Sequence, residues 1–161
     1  MILGIEIAVL CLLFWLMCYL GTGTDEKNIK SISSYPDEVI DYVSRNPRLK
    51  EKMQASPIYM TLLSNLVLFV VVMFILGFFI KGDSYLYNFV GILILGESLN
   101  LFDFLIIDLC WWRNDKRVRF EGTKDNKEMY RSPKKHFYAF LRGIILFLIV
   151  ALIDAGLLIM F

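Results

Sequence analysis

Apolar residues along this chain gather into four long blocks, and polar residues fill the intervals between them. The blocks run Ile2–Leu20, Ile58–Ile80, Tyr85–Trp112 and Phe137–Phe161. A helix rises about 1.5 Å per residue, so crossing the hydrocarbon core of a bilayer takes roughly 20 residues. All four blocks reach that length. In lipid only helices and closed barrels satisfy their own backbone groups, and runs without a period of two exclude barrel strands. The pattern predicts an all-α fold, an integral membrane four-helix bundle, with 1–161 as a single membrane domain and no room for a soluble one. The first block begins without Lys or Arg, carries Glu6 and ends on large residues before Gly21, so it reads as a retained helix rather than a cleaved signal peptide.

The polar intervals set the expected connections. Lys81-Gly82-Asp83-Ser84 is a tight turn that makes the second and third helices an antiparallel hairpin. Ser56-Pro57 and Ser132-Pro133 each put a capping hydroxyl before a proline at a helix start. In the loop 21–57, Val39, Ile40, Tyr42 and Val43 fall within about 160° of a helical wheel, opposite Asp37, Asp41 and Ser44. This predicts a short amphipathic helix lying on the membrane surface or against the loop 113–136. Within that second loop, Arg117-Val118-Arg119-Phe120 alternates like a strand, and Glu121-Gly122 would turn it back.

Charge then gives an orientation. Lys27, Lys30, Arg45, Arg48, Lys50 and Lys52 lie in the first loop, and the second carries Arg113, Lys116, Arg117, Arg119 and further bases. The positive-inside rule makes both loops cytoplasmic and both termini external, in a plasma membrane. Trp111 and Trp112 end the third helix at the inner interface. Arg113, Lys116, Arg117 and Arg119 are expected to contact anionic lipid headgroups, each contributing about 1 kcal/mol.

The informative chemistry is polar and lies inside the apolar blocks. The third helix carries Glu97, Asn100, Asp103 and Asp108, the fourth Arg142 and Asp154, the first Glu6. A charge at mid-bilayer costs about 2.5–3.5 kcal/mol on insertion scales, and such residues are functional by default. At α-helical spacing Glu97, Asn100 and Asp108 lie within about 80° of one another, with Asp103 about 60° further round. Depth places Asp108 level with Arg142 and predicts a salt bridge between them. Glu6 and Asp154, near the outer ends, are expected to reach water. Glu97, Asn100 and Asp103 form a candidate site for a cation, a proton or a small polar ligand, or serve as glue between helices. Small residues at Ala139/Gly143 and Ala151/Ala155, with Gly77, Gly91 and Gly96, permit close helix approach.

Other chemistries lack their signatures. Phosphate-loop, dinucleotide and zinc-peptidase motifs do not occur, the single His136 with no clustered Cys gives no metal site, and nothing suggests nucleic-acid binding. Cys11, Cys18 and Cys110 imply no disulfide. No cofactor is indicated.

Two resemblances follow from particular residues. Glu97-Ser-Leu-Asn100 with Asp108 resembles the Glu-x-x-Asn…Asp pattern of bacterial diacylglycerol and undecaprenol kinases, which implies magnesium and lipid phosphorylation; Phe104 stands where that family has a further Glu. Ser34-Tyr-Pro-Asp-Glu-Val39, Gly96–Asp103, Trp111-Trp-Arg-Asn114 and Pro133-Lys-Lys-His136 together resemble a group of short four-helix membrane proteins of Gram-positive bacteria. That likeness implies a bacterial plasma membrane and carries no mechanism. The leading expectation is cation, proton or small-ligand transport by a homo-oligomer or a subunit of a larger membrane complex. The alternatives are an enzyme acting on lipid headgroups at the cytoplasmic face and a structural or regulatory subunit.

Overall fold

The computed structural model describes residues 1–53 and 57–161. Ser56, expected as a cap, lies outside them. Among the described residues the chain is helical and has no strand. Its α-helices are α1 (Ile2–Leu20), α2 (Asp25–Asn28), α3 (Asp37–Arg45), α4 (Pro47–Lys50), α5 (Ile58–Ile80), α6 (Tyr85–Phe102) and α7 (Lys134–Met160). Four helices are long and apolar enough to cross a membrane: α1, α5, the helix Tyr85–Trp112 and the one that contains α7. Many of their large side chains, among them Leu12, Val67, Ile75 and Ile145, are exposed, as a lipid-facing surface requires.

The third apolar block is not α-helical throughout. After α6 the chain continues as a π-helix from Asp103 to Trp112. Its i→i+5 repeat changes which residues share a face, and such segments occur mostly at functional sites. Asp103 and Asp108 are five residues apart, so the stripe derived from α-helical spacing breaks at Asp103.

The chain divides into two compact units: 1–12, 56–102 and 140–161 in one, and 13–55 with 103–139 in the other. In the first, the helical unit, glycines set the packing. A Cβ at Gly77 would meet Leu158 and Ile92, and one at Gly91 would meet Ile80. These contacts give α5 and α6 the antiparallel register expected of a hairpin. Asn88 fastens the connecting turn, accepting from the Gly82 N–H at 2.7 Å and donating to the Gly82 carbonyl at 3.1 Å. Ala151 and Ala155 of α7 are fully buried.

The second unit is built from both long loops and has its own core. Ile29, Ile32, Tyr35, Val39, Val43, Leu49, Trp112, Val118, Phe120 and Tyr130 pack together in it. The amphipathic helix expected in the first loop is α3, and its apolar face packs on the second loop: Val39 and Val43 are buried in this core, with Ile40 and Tyr42 against it. The Tyr35 hydroxyl donates to the Val118 carbonyl at 2.7 Å, and the Tyr42 hydroxyl to that of Glu121 at 3.1 Å. The expected strand at Arg117–Phe120 is a 3-10 turn, Lys116–Val118, capped by Asp115. Gly122 turns the chain at φ +82°, where a Cβ would strike the Tyr42 hydroxyl. Trp112, expected at the membrane interface, belongs to the core instead. Pro133 precedes α7 and its carbonyl accepts from Phe137 at 2.8 Å, so it takes the cap position foreseen for Ser132.

Surface ion pairs tie the second unit's rim. Lys135 lies 2.8 Å from Asp37 and holds that carboxyl below its usual range through a hydrogen bond and charge. Lys52 does the same for Glu26, and Lys116 for Asp125. A carboxyl depressed in the folded state adds stability that is complete above about pH 5 and lost as pH falls through the folded value. Lys135→Met should return Asp37 to ordinary titration, read by carboxyl NMR, and weaken the pH dependence of unfolding below about pH 4. An unmoved Asp37 titration would count against the pair.

Candidate functional site

The polar residues singled out from the sequence separate into two constellations, one in each unit. In the helical unit, Asn100 is buried and donates to both Glu97 Oε2 and the Phe140 carbonyl, each at 3.2 Å. A Cβ on Gly143 would lie 2.2 Å from the Asn100 side-chain oxygen, so Gly143 makes the space that Asn100 fills. Four residues along each helix, a Cβ on Gly96 would lie 2.5 Å from the Phe147 ring. These two contacts fix α6 and α7 antiparallel, and the same register brings Asp154 opposite Phe89.

Asp154 was expected to reach water. It is 0% exposed, and neither of its carboxylate oxygens has a hydrogen-bond partner among the described residues. Glu97 Oε1 and Glu6 Oε2 are likewise buried without partners there. The bases of this unit, Lys81 and Arg142, are both exposed. An ionised carboxylate left unpaired in an apolar interior is strongly unfavourable. That cost falls most heavily on Asp154, where both oxygens are buried. Opposite Phe89, Asp154 lies one turn from the Tyr85 end of α6. Glu97 is eight positions deeper, about 12 Å along the axis.

The second unit holds Asp103 and Asp108, so the structure does not gather Glu97, Asn100 and Asp103 within one unit. The ion-pair partner of Asp108 is His136: Nδ1 lies 2.8 Å from the carboxylate, and the two side chains are 5% and 13% exposed. Depth had pointed Asp108 to Arg142, which is exposed on α7. The place of His136 in the first turn of α7 turns the ring inward onto the π-helix, a contact that α-helical spacing does not reveal. The Trp112 ring packs edge-on against His136 at 6.1 Å.

The basic residues expected at lipid headgroups have varied surroundings. Arg119 is buried and donates to the Lys124 carbonyl at 2.6 Å, with longer bonds to the carbonyls of Arg113 and Asn114. It fastens the second loop and does not face headgroups. Arg117 stacks 4.0 Å over the Tyr19 ring and donates to the Tyr19 carbonyl. Lys116 pairs with Asp125 on the surface. Arg113 is half-buried, and its Nε and Nη2 have no partner among the described residues. No group of three metal-ligating side chains converges among the described residues. No protein-family model, curated protein or solved structure matches this chain.

Proposed function

We propose that this chain is a small multi-pass membrane protein that moves protons or small cations, with Asp154 and Glu97 of the helical unit as successive carriers. The observation that carries this reading is Asp154, fully buried with both oxygens unpartnered among the described residues. A residue that costs so much to bury without a partner is retained for use. Positive charge in both long loops supports a cytoplasmic second unit, which puts Asp154 near the external face and Glu97 deeper. Asn100 holds one oxygen of Glu97, and the other has no partner among the described residues. Four helices are few for a complete path, so assembly with further copies or other membrane subunits belongs to the proposal.

Asp154→Asn should abolish ion-driven or pH-driven flux in proteoliposomes, read with a trapped pH-sensitive dye, while the protein still purifies as folded chain. A hydrophobic carbodiimide, which attacks protonated carboxyls in apolar surroundings, should label wild type at Asp154. Undiminished flux in Asp154→Asn would end the reading. Glu97→Gln keeps an acceptor for Asn100. If it conducts as wild type does, Glu97 is only part of the α6–α7 clamp.

A further inference from the structure

The second unit contains a set of buried nitrogens that the proposed ion path does not use. His136 gives Nδ1 to Asp108, and its Nε2 is buried without a partner among the described residues. Trp112, whose ring lies against the imidazole, has its indole Nε1 in the same condition. Its neighbour Arg113 adds two more such nitrogens, Nε and Nη2. Elsewhere in this unit one more buried nitrogen, Arg119 Nε, lacks a partner among the described residues. The Tyr35 hydroxyl, Asn28, Thr123 and the Tyr130 hydroxyl, all buried, each have partners.

An unsatisfied buried donor costs about 1–3 kcal/mol, more when charged, and native proteins leave few of them. Here, apart from Arg119 Nε, they fall on two residues whose rings touch, Trp112 and His136, and on the next residue in the chain, Arg113. We infer that Trp112, Arg113 and His136 form a binding site for a phosphate group. The indole and guanidinium are donors only. A guanidinium matches the oxygens of a phosphate particularly well. The imidazole, with Nδ1–H fixed on Asp108, offers Nε2 to a P–OH as acceptor, or to a bare oxygen as donor once protonated. Asp108 is thus a positioning residue: it orients the ring and offsets its charge when protonated, without touching the ligand.

The acids nearby set the ligand's size. Asp108 is engaged by His136, and Asp103 lies within its electrostatic reach on the same π-helix. The Asp108 carboxylate beside the site disfavours a polyphosphate and suits one phosphate or phosphomonoester. Trp112 closes the third apolar block, so a phosphomonoester lipid headgroup and free phosphate share the chemistry that this site would recognise.

The test uses the full chain in detergent and then in vesicles. Inorganic phosphate is titrated by calorimetry, and flotation is measured with phosphatidylcholine vesicles with and without phosphatidic acid. Trp112→Phe keeps an aromatic ring in the core but removes the N–H together with part of the indole; Arg113→Gln removes the guanidinium and leaves the core rings in place. Each should weaken binding about tenfold or more, the loss of one charge-assisted hydrogen bond, at a temperature where thermal melting shows the variant still folded. Lys116→Gln, on the surface, should bind as wild type does. Saturable binding of free phosphate assigns the site to phosphate itself, and binding confined to phosphatidic acid assigns it to a lipid headgroup. Binding of neither, or binding that is equal in wild type, Trp112→Phe and Arg113→Gln, overturns the inference.

Discussion

Tyr35→Ala should unfold the loop-built unit and leave the helical unit folded. Tyr35 is fully buried and its ring touches those of Trp112, Phe120 and Tyr130, with centroids 5.1–6.1 Å apart. Truncating a buried aromatic residue to alanine costs about 3–5 kcal/mol. The hydroxyl also satisfies the Val118 carbonyl, and orphaning that oxygen adds about 1–3 kcal/mol. The total approaches the whole stability of a small domain, about 5–15 kcal/mol. Limited proteolysis should cut the variant within 21–53 and 113–133 under conditions that leave wild type whole, while α5 and α6 stay protected. Tyr35→Phe keeps the ring and gives up only the hydrogen bond, a loss of about 1 kcal/mol. If Tyr35→Ala resisted the protease as wild type does, the aromatic cluster would not be the core of this unit.

Gly143→Ala should loosen α6 from α7. The new methyl would occupy the place of the Asn100 side-chain oxygen, so Asn100 must leave its bonds to Glu97 and Phe140. Overpacking costs about 1–3 kcal/mol, and each lost hydrogen bond about 1 kcal/mol more. Unfolding in mixed detergent should show a drop of about 3–5 kcal/mol by those figures. Asn100→Ala alone loses the bonds without the clash. Combined with Gly143→Ala it should recover the steric part and lose the shared bonds only once, a coupling of about 3–5 kcal/mol by the same figures. Strictly additive losses would show that the two positions do not meet.

The four spans and α3 were legible because each repeats a local pattern: long apolar runs in one case, Val39 and Val43 at helical spacing in the other. The turn at Lys81–Ser84 was legible from its glycine and charges. The second unit was not. Its core is made of aromatic residues such as Tyr35, Phe120 and Tyr130, each isolated within polar sequence, and no period links them. They find one another through tertiary packing. The candidate residues Glu97, Asn100 and Asp108 stood out as polar atoms in apolar blocks. Asp103 was misplaced on the wheel because the wheel assumed 3.6 residues per turn where the chain is π-helical. His136 was passed over because a histidine at a helix start is ordinarily solvated, and only its approach to Asp108 distinguishes it. Asp154 was misjudged because closeness to a helix end was equated with access to water. Depth along α7 says nothing about which neighbour covers a given face.

The discontinuity of the second unit governs how the protein can be made. The Tyr35 hydroxyl meets a carbonyl 83 residues further along the chain. At synthesis rates of about 5–20 residues per second, roughly 4–17 s separate the two halves leaving the ribosome. Throughout that interval the apolar face of α3 and the Tyr35 ring have no partner to cover them. The two long apolar helices made meanwhile, α5 and Tyr85–Trp112, are the ones that bring the partner back. Completion of this unit therefore waits on synthesis of the whole hairpin, and a nascent chain stalled before residue 118 would display a sticky, unfinished surface to whatever chaperone or bilayer lies nearest.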